Sequence, residues 1–214
     1  MNKKLLLIGG GGHCRAVIDS LRDDNQYADI SIVDKSESIG SLVLGKRVIG
    51  NDGDLQMLYD REGYRYAFVT LGSIGDVSVR IRIYRLLERL GYSIPNIIDP
   101  TAVVSANAAL GNGIYIGKNA VVNAGSRIDE GAIINTSVTV EHDCSIGGFV
   151  HVSSGSVLCG NVTVGECTHI GAGSVIRQQL RIGSHTMIGM GSVVLKNIGD
   201  SVTAYGNPCR EVHS

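Results

Sequence analysis

From Ile98 to Val194 an aliphatic residue stands at every sixth position: Ile98, Val104, Leu110, Ile116, Val122, Ile128, Ile134, Val140, Ile146, Val152, Leu158, Val164, Ile170, Ile176, Ile182, Ile188 and Val194. Four residues after most of these comes a small one, among them Ala102, Ala108, Ala120, Ser126, Ala132, Cys144, Ser156, Thr168, Ser174 and Ser192. Six residues are too few for a helical repeat unit. They suffice for one short strand and one corner of a parallel β-helix. Three units then close a triangular coil of eighteen residues, so that residues eighteen apart stack and the array makes between five and six coils. The aliphatic residue and the small one four later point inward. The period runs unbroken to Gly199, so no long loop is expected to project.

The 29 glycines concentrate in this array, where tight corners need residues tolerant of positive φ. With no Trp and only 2 Phe, the core must be built from Ile, Val and Leu. A formal net charge of -1 gives no electrostatic footprint for nucleic acid or an anionic membrane. The apolar run Leu5-Leu6-Leu7-Ile8 after Met1-Asn2-Lys3-Lys4 is too short for a signal peptide, and no stretch is long enough to span a membrane. Cys14, Cys144, Cys159, Cys167 and Cys209 are odd in number and form no Cys-x-x-Cys pair. Buried thiols in a reducing cytoplasm are therefore expected, with neither a disulfide framework nor a metal site.

Residues 1–97 read as a separate α/β domain. Leu5–Ile8, Ile30–Val33, Tyr66–Leu71 and Ile94–Ile98 are candidate strands. Helices are expected from His13 to about Arg22, from a cap at Asp52 or Asp54 to Tyr59, and from Asp76 to Leu90, the last ended by Gly91. Alternating strands and helices imply a parallel sheet, a small Rossmann-like domain. Gly9-Gly10-Gly11-Gly12 lies between a strand and a helix start, where backbone N–H groups and the helix dipole favour an anion. Asp34, at the end of the second strand, is placed like the acid that contacts a ribose in dinucleotide enzymes. Read as G-x-G-x-x-G from Gly9, however, the third glycine is Cys14, and only about half of a two-part dinucleotide sheet is present. A nucleotide of smaller reach, such as that of a nucleotide-activated sugar, suits the loop better than NAD, and His13 could stack on it. A tight turn with no ligand is the alternative.

Within the repeat, Val140-Glu141-His142-Asp143-Cys144 departs from the bland corner pattern. His142 falls two places after an inward position and should point out, stacked between Ala124 and Gly160. An outward histidine among small residues has no packing reason to exist; it has the chemistry of a general base. The N–H of Gly160 could face an oxygen that gains charge. Glu141 and Asp143 flank the base. Cys144 should point inward, which argues against a thiol nucleophile. His151 and His169 should stack on one face, between Ile133 and Met187; without a third ligand they make a poor zinc site, and His169 reads as surface.

The period resembles the left-handed β-helix of the hexapeptide-repeat acyltransferases. Ala204-Tyr205-Gly206-Asn207-Pro208-Cys209-Arg210 looks like that family's closing Gly-x-Pro-Ala-Lys/Arg segment, with Cys209 in place of Ala. Joined to a glycine loop followed by His13, and carrying Ile134-Asn135-Thr136, the His142 stretch and Phe149-Val150-His151-Val152-Ser153, the chain is similar to the sialic-acid O-acetyltransferase and bacillosamine-pathway sugar acetyltransferases. The resemblance covers nearly the whole chain. It implies a second domain, 98–214, that transfers an acetyl group from acetyl-CoA by direct attack, with the histidine matching His142 as base. It also implies a homotrimer with acyl-CoA between neighbouring prisms. His151, Gly160, Ala172 and Met190 would then serve the cofactor, and Gly9, Gly10, Gly11, Gly12, His13, Asp34, Lys35 and Gly72 the acceptor. The related bacillosamine enzymes carry Glu after the histidine; here Asp143 is one methylene shorter.

The expected activity is N-acetylation of a UDP- or GDP-linked 4-amino-sugar. O-acetylation of sialic acid or a related sugar is the neighbouring reading, because one base and one oxyanion site serve both acceptors. A non-catalytic β-helix scaffold and a dinucleotide-linked redox enzyme are alternatives of other classes. The first leaves the outward His142 unexplained, and the second leaves the repeat without a purpose.

Overall fold

The computed structural model describes residues 3–22 and 26–212; the Met1-Asn2 start of the N-terminal segment and the last two residues of the 98–214 domain lie outside the described residues. Two compact units form, one from the chain up to Ser73 with Ser78–Ile97, the other from Ile74–Val77 with the chain from Ile98 onward.

In the first unit β1 (Lys3–Ile8), α1 (Gly12–Ser20), β2 (Tyr27–Val33), β3 (Leu42–Val43), β4 (Lys46–Gly50), α2 (Leu55–Asp60), β5 (Tyr66–Val69) and α3 (Ser78–Arg89) follow in order. The sheet runs β3-β4-β2-β1-β5, with all neighbours parallel except β3 and β4. Leu5, Leu6 and Leu7 are fully buried, as a continuous apolar run in a parallel strand requires. The β3–β4 hairpin has no counterpart in the sequence reading. Its turn residues are Leu44 and Gly45, both at positive φ (45° and 79°). Such a two-residue turn ordinarily announces itself as Asn-Gly or Asp-Gly, and a leucine conceals it. Asp54 is the N-cap residue of α2, without a side-chain cap bond, and the 3-10 turn Asp52–Asp54 that leads into it is itself capped by Asn51. The Asn51 side chain accepts from Gly53 N at 2.8 Å, and Asp54 accepts from Asn51 N at 2.8 Å, a reciprocal capping box. The third strand ends at Val69, the last helix begins at Ser78, and the strand expected from Ile94 is confined to Ile97–Ile98.

The second unit is a left-handed parallel β-helix. Its first face carries Val103–Val104, Val121–Val122, Thr139–Val140, Val157–Leu158, Val175–Ile176 and Val193–Val194. The second carries Ala109–Leu110, Arg127–Ile128, Ser145–Ile146, Thr163–Val164 and Arg181–Ile182. The third starts with Ile97–Ile98, carries Tyr115–Ile116, Ile133–Ile134, His151–Val152, His169–Ile170 and Met187–Ile188, and is closed by Thr203–Gly206 and the antiparallel Cys209–Val212. Register is eighteen residues throughout these coils, for example Val122 to Val140 and Val140 to Leu158.

Two devices hold the coil. The third residue after each inward aliphatic position, from Gly113 to Gly191, has positive φ; glycine, Asn119, Asp143 and Asn161 fill this corner alongside less permissive residues such as Phe149 and Gln179. The small inward residue then ties the corner from inside: Ser126, Ser156, Thr168 and Ser174 donate hydroxyl hydrogens to the carbonyls of Glu141, Gly171, Gly183 and Gly189 at 2.6–3.1 Å. Ile116 through Val194 are buried at the sixfold positions, each worth about 1.5–3 kcal/mol of apolar burial. Ile98, at the end of the stack, is 40% exposed; with no coil beyond it, it lacks half its packing partners. The period also fails at the other end. Ile182 bridges to Ile198, and Met187 pairs with Thr203, so the last coil has sixteen residues rather than eighteen.

Candidate functional site

His142 stands at the corner between the first and second faces, 64% exposed at its side chain. The next residue, Asp143, takes the left-handed corner conformation (φ 60°). That conformation turns its carboxylate back to the ring, and Oδ2 lies 2.9 Å from His142 Nδ1. The shorter acid thus pairs with the imidazole because the corner, not the side-chain length, supplies the reach. Room for it comes from Gly125 in the preceding coil, where a Cβ would collide with Asp143 Oδ1. A carboxylate on Nδ1 holds the proton there and leaves Nε2 as an acceptor. Glu141 contributes differently: its backbone is bonded within the coil, its N–H to Leu158 O and its carbonyl from Ser126 Oγ, and it is Asp143 rather than Glu141 that meets the ring.

One coil above, Gly160 packs against the same ring. A Cβ there would sit 2.5 Å from His142 Nε2, so only glycine lets the imidazole lie across the backbone. Among the described residues, neither the Gly160 N–H nor the Ala172 N–H has a protein acceptor. The Gly160 N–H, without an acceptor and beside the base, suits a thioester oxygen that must be held. Cys144 is buried (1% exposed), and its Sγ donates to Cys159 O at 3.2 Å. Burial also pushes its thiol pKa up, which is no environment for a nucleophile. Cys14, in the first turn of α1, is likewise buried and its pKa is pushed up to about 11 by desolvation.

One copy of the prism does not bring all the anticipated cofactor residues to His142. Ala172 and Met190 are exposed at the corner between the third and first faces, Met190 by 81%. His151 lies on the third face, Asn135 Nδ2 being 3.4 Å from its Nε2 and its ring edge-on to His169 at 4.9 Å between centroids. His169 is not a surface residue: it is 9% exposed, with Ser153 Oγ 3.3 Å from its Nε2. His185 faces Glu166 at 4.0 Å. No group of three His, Cys, Asp or Glu among the described residues could hold a metal.

In the first unit a cleft of about 470 Å³ opens at the carboxyl ends of β1 and β2, lined by Gly9, Asp34 and Lys35 and also by Glu37, Asn51 and Arg82. Crevices at this end of a parallel sheet are where ligands bind in such folds. Gly9 has φ 108°, and a Cβ on it would meet Leu71 at 2.5 Å; Gly10 donates to Asp34 Oδ2 at 3.2 Å, and a Cβ there would stand 2.7 Å from that oxygen. Gly11 and Gly12 open α1 with nothing within 4 Å of an added Cβ, while Gly72 neighbours the His13 Cβ at 3.7 Å. Glu37, Asn51 and Arg82 come from three separate segments. No motif joins them, and of the three only Asn51 had a sequence signal, its Asn-x-x-Asp capping pattern.

Residues 4–87 match the family model described as the PglD N-terminal domain. No curated protein matches the chain. Among solved structures it is similar to a histidine-to-asparagine mutant of perosamine N-acetyltransferase from Caulobacter crescentus in complex with CoA and GDP-perosamine, with 37% identity over 99% of this chain and 97% of that one, at a TM-score of 0.91. The acetyltransferase domain of PglB from Neisseria gonorrhoeae is 37% identical over 99% of this chain and 100% of that one, at a TM-score of 0.91, and is also known in complex with acetyl coenzyme A. Likeness at this level, end to end and across both units, settles the family: the chain belongs to the hexapeptide-repeat sugar acetyltransferases with a PglD-type N-terminal domain, and it is an acetyltransferase.

Proposed function

We propose that the enzyme N-acetylates the amine of a nucleotide-linked amino-sugar, with His142 as the general base. The observation that carries this reading is the Asp143–His142 pair laid across Gly160. The nature of the acceptor is supported by the perosamine enzyme, whose structure holds GDP-perosamine, and by the cleft at Gly9, Asp34 and Lys35. The first unit takes the nucleotide, and the prism carries the chemistry.

Acetyl-CoA, when bound, supplies the acetyl group as a thioester. His142 Nε2 accepts the proton that the sugar amine gives up as it attacks the acetyl carbon, the C–S bond breaks with CoA leaving as its thiolate, and Asp143 fixes the ring orientation. The Gly160 N–H donates to the acetyl oxygen as charge collects on it. No covalent enzyme intermediate is required, and neither Cys14 nor Cys144 is available for one.

The same reading makes the working enzyme a homotrimer. The His142 corner and the Ala172–Met190 corner are the two edges of the first face. That face presents Val103, Val121, Thr139, Val157, Val175 and Val193 outward, with Val103 63% and Val175 39% exposed. The outward positions of the second face are instead Ala109, Arg127, Ser145, Thr163 and Arg181. A closed ring packed through its valine faces sets one edge of each copy against the opposite edge of the next, joining His142 of one copy to the cofactor residues of its neighbour. Five free cysteines suit a cytoplasmic setting.

The test is His142→Ala, assayed with acetyl-CoA and GDP-, UDP- and dTDP-linked 4-amino-sugars. Transfer should fall by roughly 10²–10⁴-fold, with acetyl-CoA binding retained; a variant that keeps most of its rate overturns the assignment.

A further inference from the structure

We infer that Arg177 and Lys196 form a clamp for the phosphate-bearing end of the acyl donor, an inference that rests on the reading of His142 and Gly160 above. Along the first face and its corner with the second, the coils stack in register. His142 lies below Gly160, Gly160 below Gln178, and Gln178 below Lys196; beside them Glu141, Cys159, Arg177 and Leu195 form the adjoining column. Arg177 follows Ile176 and points outward from the face, and both Arg177 and Lys196 are exposed.

Their pairing sets them apart. Among the described residues of the prism Arg127 is paired with Asp129 and Arg181 with Asp200. Arg210 donates to Cys209 O, and Lys118 has a partner of its own. Arg177 and Lys196 form no side-chain hydrogen bond or ion pair with any described residue. Two uncompensated cations therefore share one edge of a molecule whose formal net charge is -1, on consecutive coils above the proposed base. Strands stack about 4.8 Å apart, so the two stand roughly 10 and 14 Å up the column from His142. Below His142 the same columns hold Ser105, Ala106, Asn123 and Ala124, with no cation. A donor whose thioester lies at Gly160 and whose other end is a diphosphate and a phosphate has only one direction along this edge in which it meets positive charge. Guanidinium and ammonium groups are suited to such oxygens.

A diphosphate also occurs in a nucleotide-sugar, and the test separates the two sources. Calorimetric titration of wild type and of the Arg177→Ala/Lys196→Ala double variant would use CoA, 3′-dephospho-CoA, pantetheine and GDP-perosamine. Wild type should bind CoA more tightly than pantetheine, with the difference shrinking as salt rises. The double variant should lose about tenfold or more in CoA affinity, as expected when charge-assisted hydrogen bonds are removed, while its affinity for pantetheine and GDP-perosamine stays unchanged. Arg177→Lys should recover part of the loss. Both side chains are exposed, so the fold should persist, which thermal unfolding would verify. A double variant that keeps the wild-type preference for CoA overturns the clamp and leaves the donor reading intact. Loss confined to GDP-perosamine, or equal loss of pantetheine, overturns it too. A wild-type protein that binds neither CoA nor pantetheine overturns the donor reading together with the clamp.

Discussion

The imidazole of His142 lies across the backbone of Gly160, with Nε2 2.5 Å from where a Cβ on that glycine would be. Gly160→Ala must therefore push the ring aside. The ring is exposed and free to swing, so folding should survive with a melting temperature near that of wild type. The rate of acetyl transfer should fall by about tenfold or more, because the base leaves the acceptor's reach. Steady-state kinetics beside thermal unfolding would check this; an unimpaired rate would mean that the ring position seen here is not the working one.

Asp143→Asn keeps the size of the side chain and the corner conformation but removes the charge that holds the His142 Nδ1 proton. The turnover number should drop by roughly ten- to a hundredfold, a fraction of the 10²–10⁴ that a positioned base supplies, with little change in KM for acetyl-CoA. Thermal stability should hardly move, because both partners are about two-thirds exposed at 64% and 65% and surface ion pairs contribute little.

Cys144→Ala should leave the rate within about twofold of wild type and lower stability by roughly 1–2 kcal/mol, the loss of a small buried side chain and its hydrogen bond. In native protein, alkylation followed by peptide mass mapping should find Cys159 and Cys167, both partly exposed, modified well before Cys14 and Cys144. Burial keeps the latter two thiols protonated. An inactive alanine variant that is well folded would reopen the case for a covalent route.

Gly10→Ala places a methyl group against Asp34 Oδ2 in the wall of the first unit's cleft. Nucleotide-sugar affinity, read by calorimetry, should fall about tenfold while acetyl-CoA affinity is unchanged. Equal weakening of both ligands would argue against the division of labour proposed for the two units.

Val157→Asp sets a charge in the middle of the outward valine column. Sedimentation velocity should show a smaller species than wild type, and acetyl transfer should fall with it, since the His142 edge would lose its neighbour. A variant that dissociates yet keeps full activity would place the whole site within one copy.

The sequence is most legible where one physical rule repeats. Aliphatic burial every six residues identifies the inner positions of the prism, and counting in eighteens sets His142 against Gly160. What stays hidden depends on backbone conformation or on convergence of distant segments. Asp143 meets the ring because a left-handed residue turns it back, which side-chain length alone argues against. His169 reads as surface because the resemblance to the sugar acetyltransferases is not kept at that position, yet it is 9% exposed: a departure from a family's pattern does not say what covers a side chain. The β3–β4 hairpin is masked by Leu44 at a position that usually advertises glycine or asparagine. The shortened last coil is masked because Val194 still falls on the period, and the two missing residues come after it.

The uniform coil gives this protein a built-in scale. Strand spacing sets the rise of each turn and is nearly independent of which side chains are present, so distance along the edge is counted in residues. Adding one eighteen-residue turn between His142 and Arg177 would lengthen the edge by about 4.8 Å and return every later corner to its original bearing. The sixteen-residue final turn cannot be repeated in this way, since it would carry the following corners out of line. A rod of this kind can be lengthened or shortened without turning its later corners only by whole turns below Val194, each a discrete step in the length of the edge.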